Sequence, residues 1–234
     1  MIGDNGNSLE QFAPDAASLF NNMKTPASII GGALVSLAIA GPLPLEGSSR
    51  ENRSLKMARA LYNVIGVLSF SSELLVVIWA TVASNKLVET HVEPAQSVWH
   101  LIERDFNLEW AATNAHFVAG MLGFLVLVAL RMFFHADGGL LGMGIAGIPL
   151  SALLLMISVI NRGVARGSGD GHRYGANIGS LFTTYLSLLT QRACNKSCVG
   201  YLEMGSIVLL LTSMAATFKG VAERYHLGES KKTN

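Results

Sequence analysis

Half of the 234 residues are hydrophobic and only 14% are charged, against roughly 25% charged in a typical soluble domain. Mean hydropathy is +0.41. The formal net charge of +1 gives no basic field for nucleic acid, and the composition predicts an all-α, polytopic membrane helix bundle of about five spans with added interfacial helices.

In chain order, residues 25–222 read as one helical membrane domain between polar tails at 1–24 and 223–234. No basic segment followed by an apolar one opens the chain, so no cleavable signal is expected. The first span is predicted from Thr25, with Pro26 at N1, to about Leu45, closed by Gly41-Pro42-Leu43-Pro44. Its Ser28, Gly32, Ser36 and Ala40 form a small-residue stripe expected to pack on another helix.

A basic turn with Arg50, Arg53, Lys56 and Arg59 leads into the second span, Leu61–Ser84. Helical spacing puts Tyr62, Gly66, Ser69, Glu73, Val77, Ala80 and Ser84 on one face, with Leu68, Leu75, Ile78 and Trp79 largely elsewhere. Glu73 is therefore expected to point into the bundle, because a carboxylate facing hydrocarbon costs several kcal/mol. An acidic segment follows, with Glu89, Glu93, Glu103, Asp105 and Glu109. After Pro94 it predicts a short helix that dips Val98, Trp99 and Ile102 into the membrane interface.

The third span, Trp110 to about Phe134, carries a second polar and small stripe of Glu109, Thr113, His116, Gly120, Gly123 and Leu127. The fourth, Leu140–Ile160, contains Pro149, which should bend it. A long loop then includes the glycine-rich run Gly167–Gly175, read as a mobile connection. Asn177–Gln191 reads as an amphipathic helix lying flat, with Ile178, Leu181, Phe182, Tyr185, Leu188 and Leu189 on its apolar side. Because its polar face lacks lysine, it is expected to dock on protein rather than anionic lipid. Met204 to about Val221 is the fifth span.

Basic residues in the first turn and at the C-terminal end predict a cytosolic, stromal or matrix location for those parts. Cys194 and Cys198 read as a local disulfide or a pair of inert thiols, and that topology puts them on the opposite side, where a disulfide is compatible with an oxidising compartment. Two thiols alone cannot form a four-ligand structural zinc site.

Glu73 and His116 are the sharpest signal. Counting about 1.5 Å per residue from the shared side, Glu73 lies about 16 Å deep and His116 about 9 Å, a stagger of about 7 Å. Three roles fit. Glu73 is protonated or hydrogen-bonded to Ser69, Ser72 or another helix's hydroxyl and fixes packing; the two residues ligate pigment metals, Gly120 and Gly123 leaving room for a flat ring; or they form part of a proton or ion path. His91, Glu93, His100 and Glu103 offer donor atoms in the acidic segment but read as a solvated surface, so no metal site is expected there. No phosphate loop, G-x-S-x-G or H-E-x-x-H pattern occurs, and the expectation is a protein that is not an enzyme, with no catalytic residue.

Asn21-Asn-Met-Lys-Thr-Pro-Ala-Ser-Ile-Ile30 and Leu74-Leu-Val-Val-Ile-Trp-Ala-Thr-Val-Ala-Ser-Asn-Lys-Leu-Val-Glu89 resemble multi-pass thylakoid membrane proteins of algae with secondary plastids. The resemblance implies a plastid thylakoid location and an accessory, non-catalytic role beside photosystem or antenna proteins. It also implies chlorophyll and carotenoid as cofactors, with Glu73 and His116 as the candidate pigment ligands. The chain departs from the light-harvesting superfamily, since no span carries that family's Glu-x-x-x-x-Arg pairing. Arg131 and Arg162 lie at helix ends rather than beside Glu73. A small proton-coupled transporter or channel using Glu73 is the competing expectation.

Overall fold

A computed structural model of the chain describes residues 11–39, 41, 53–89, 92–136, 139–166, 177–194 and 198–230. The described residues are helical, with α1 over Ala13–Leu34 continued by a π-helical turn at Val35–Ile39, α2 over Arg53–Glu89, α3 over Val98–Asp105 and α4 over Asn107–His135. The remainder are α5 over Gly139–Arg166, α6 over Ile178–Cys194 and α7 over Cys198–Ser230.

Among the described residues three stretches are long and apolar enough to cross a membrane: Met57–Glu89, Asn107–His135 and Gly139–Asn161. They coincide with the second, third and fourth expected spans and are the signature of an integral membrane protein. Among the described residues the apolar part of α7 is the shorter Met204–Thr217. In α1, Asp15, Asn21, Asn22 and Lys24 dilute the apolar run. The turn bearing Arg50, the Pro42–Pro44 stop, His91, Asp137 and the Gly167–Gly175 run lie outside the described residues.

α1, α2 and α4 form the centre. At one end Ala16, Phe20, Ala80, Ala83, Leu87 and Phe106 make an apolar cluster. At the other, Leu34, Tyr62 and Leu127 close together. α1 starts at Ala13, well ahead of the expected Thr25, because Pro14 supplies the first-turn proline and Ala16, Ala17 and Phe20 continue its buried stripe. Pro26 consequently lies inside the helix.

The expected packing stripe on this helix faces the wrong way: Ser28, Gly32 and Ser36 are exposed, and a Cβ on Gly32 would meet nothing within 4 Å. Ala40 lies outside the described residues. The buried face is Ala27, Gly31 and Leu34, one residue round the helix, where Gly31 opposes Glu73.

α3 is capped by Ser97, whose hydroxyl accepts the His100 N–H at 3.1 Å. It buries Leu101 and Ile102 against the central helices, while Trp99 packs edge-on to Trp110 at 5.3 Å. Ile102 thus meets protein rather than the membrane interface. α6 lays Leu181, Phe182 and Tyr185 against Ala115 and Val118 of α4, the docking on protein expected of its apolar side.

Candidate functional site

The polar positions on α2 were assigned by spacing alone, and burial follows that spacing. Tyr62, Gly66, Ser69, Glu73, Ala80 and Ser84 are buried, Val77 is half-buried, and Leu68, Leu75 and Ile78 are exposed. Glu73 is completely enclosed, at 0% exposure.

Glycines make that possible. A Cβ on Gly31 of α1 would sit 3.6 Å from the Glu73 Cβ, an ordinary contact. On the α4 side, a Cβ on Gly120 would collide with Glu73 Oε1 and lie 2.6 Å from its Cδ and 2.7 Å from its Cγ. Gly123, a turn further, leaves the space that Ser69 Oγ fills. Two successive polar side chains of α2 therefore occupy notches that only glycine on α4 provides.

Among the described residues neither Glu73 carboxyl oxygen has a hydrogen-bond partner. The neighbouring hydroxyls are turned back on their own helices: Ser69 donates to the Ile65 carbonyl at 2.7 Å and Thr113 to the Glu109 carbonyl at 2.7 Å. The acid is an orphan polar group in an apolar crossing. Such a group costs about 1–3 kcal/mol unsatisfied, and more if charged.

His116 takes a different neighbour. Its Nε2 lies 3.0 Å from the Tyr185 hydroxyl of α6, with the two rings edge-on at 5.2 Å. Gly120, which meets Glu73, is one turn beyond His116, so the predicted stagger in depth agrees with the packing. The two side chains are nevertheless not joined. Glu73 is turned to the glycines, and His116 is tied to α6.

The fit to a chlorophyll follows from these contacts. The space beside His116 that the glycines were expected to leave for a ring is filled by Glu73 and Ser69, and Nε2 is engaged by Tyr185. This arrangement does not fit His116 or Glu73 as an axial ligand of a chlorophyll.

In the acidic segment, Arg104 bonds both Asp105 oxygens at 3.0 and 2.8 Å and the Glu93 carbonyl at 3.0 Å. The Asp105 hydrogen bond raises the Arg104 pKa further. Among the described residues no group of three or more His, Cys, Asp or Glu side chains is placed to hold a metal. Cys194 is a free, exposed thiol, and the Cys198 side chain, the other half of the expected disulfide, lies outside the described residues.

Two contacts escaped sequence reasoning. Tyr185 was placed on the apolar side of α6 but not paired, although a buried tyrosine hydroxyl calls for a partner. Arg131, near the end of α4, donates from Nη1 to the Leu37 and Gly41 carbonyls at 3.1 and 3.0 Å. Tyr62 donates its hydroxyl to the same Leu37 carbonyl at 2.5 Å. The pair supplies donors to carbonyls at the end of α1 and its π-helical turn, where a cation is also favoured by the helix dipole. A basic residue in the last turns of an apolar run was the available signal. No family model, curated protein or solved structure matches the chain.

Proposed function

We propose that this chain is a non-catalytic, structural or accessory subunit of a larger membrane assembly. The observation that carries the reading is the packing of α7. Between Tyr201 and Thr217 every described side chain is exposed except Ile207, which is half-buried. The exposed set includes Leu202, Leu209 and Leu211 but also Gly205, Thr212 and Ser213, so small and polar sides face outward along with apolar ones. Lipid suits the leucines; small and hydroxyl residues are the composition of helix–helix contacts. In α5, Gly142 and Ala146 are the only buried residues among the described side chains. A bundle that worked alone as a transporter would enclose more of these helices.

The thylakoid location, photosystem or antenna proteins as neighbours, and any chlorophyll or carotenoid belong to this proposal through the resemblance of Asn21–Ile30 and Leu74–Glu89 alone. The five-span topology belongs to it too, with α1 and α7 as the outer crossings. Native purification from mild detergent, followed by partner identification and an absorption spectrum, tests the reading. Stoichiometric co-migration with a large complex is expected, and a free protein on native gels contradicts it.

The orphan carboxyl of Glu73 favours a second reading, a small proton- or ion-coupled transporter. Glu73→Gln in reconstituted vesicles separates the two: abolished flux in a folded variant supports transport, and absence of flux in the unmodified protein removes it.

A further inference from the structure

Arg131 has donors to spare. Its guanidinium is fastened through a single nitrogen, Nη1, which reaches the Leu37 carbonyl at 3.1 Å, the Gly41 carbonyl at 3.0 Å and the Tyr62 hydroxyl at 3.5 Å. All three acceptors are uncharged, and among the described residues Nε and Nη2 make no hydrogen bond and no acid pairs with the group. The side chain is half-buried, its Nη1 and Nη2 set beside Gly41, where an added Cβ would lie 2.8 and 3.0 Å away. A guanidinium carries five N–H donors in a planar fork, and the fork matches an oxyanion that accepts two of them.

Its place in the bundle narrows the partner. α4 ends at His135, one turn beyond Arg131, which sets the guanidinium about 6 Å from the helix end and within a side chain's reach of the headgroup layer. The end of α1 and the entry to α2 meet it there, through Leu37 and Tyr62. The first two turns of α2 carry Arg53, Lys56 and Arg59, an excess of basic residues of the kind that attracts anionic lipid. We propose that Arg131 holds the phosphate of an anionic phospholipid headgroup at this end of the bundle, with Nε and Nη2 facing the phosphate while Nη1 keeps the α1 terminus in place. The proposal is independent of Glu73 and of the assembly reading.

Full-length protein in detergent, incubated with equal amounts of phosphatidylglycerol and phosphatidylcholine and analysed by native mass spectrometry, tests it. The unmodified protein should retain phosphatidylglycerol preferentially. Arg131→Gln should lower that preference about tenfold, the loss of one charge-assisted contact. Arg131→Lys, which keeps the charge without the fork, should fall between the two. Arg104→Gln, at the opposite end of the bundle, should leave retention unchanged. Because Arg131→Gln also removes donors from α1, thermal unfolding accompanies each variant; if Arg131→Gln does not fold, the unmodified protein and Arg131→Lys decide. Equal retention of both lipids by the unmodified protein overturns the proposal. So does unchanged preference in folded Arg131→Gln, or complete displacement of the lipid by inorganic phosphate, which would make the ligand a free anion.

Discussion

Gly120→Ala probes the central crossing with a single methyl group. In the native packing that methyl would collide with Glu73 Oε1 and approach its Cδ and Cγ to 2.6 and 2.7 Å. Glu73 has little room to yield, being fully buried. Overpacking of this kind costs about 1–3 kcal/mol. Replacing a mid-helix glycine by alanine returns about 0.5–1 kcal/mol through helix propensity, leaving a net loss of about 1–2 kcal/mol. The same methyl introduced into a Glu73→Ala protein meets no Cγ or Cδ, so there Gly120→Ala should be neutral or stabilising. The coupling between the two sites is then about 1–3 kcal/mol and is read from a double-mutant cycle of unfolding free energies in detergent. Gly120→Ala as stable as the parent, or equally harmful in both backgrounds, would refute the notch.

Gly31→Ala, whose Cβ would meet Glu73 at an unremarkable 3.6 Å, should be neutral or stabilising by up to about 1 kcal/mol in the same unfolding assay. Glu73→Met keeps the chain length and removes both orphan oxygens, so it should stabilise the protein by about 1–3 kcal/mol; a large loss would mean that the carboxyl has a partner. Tyr185→Phe breaks the 3.0 Å contact to His116 and should cost about 1–2 kcal/mol, with α6 amides exchanging hydrogen faster than those of α2. Unaltered exchange across α6 would count against the pair as its anchor.

What the sequence made legible was periodicity. The stripe from Tyr62 to Ser84 could be read because one helix face needs a residue every three or four positions, and Glu73 could be assigned inward because lipid is a poor solvent for an acid. Packing partners were another matter. The notch between Glu73 and Gly120 depends on how α2 and α4 are registered, which neither helix encodes by itself. On α1, two glycines stand side by side, and Gly31, in line with buried Ala27 and Leu34, is the one that opposes Glu73. His116 is expected about 7 Å shallower than Glu73, but nothing in its own helix shows that α6 supplies a hydroxyl to it. The start of α1 was misplaced because two Xaa-Pro pairs, Ala13-Pro14 and Thr25-Pro26, both resemble a helix entry.

The assembly reading stands or falls on what covers α7. A photo-crosslinking residue placed at Leu209, which is 68% exposed, reports its neighbour directly in native membranes. A discrete adduct with a different polypeptide is the predicted outcome, and adducts with lipid alone would contradict it.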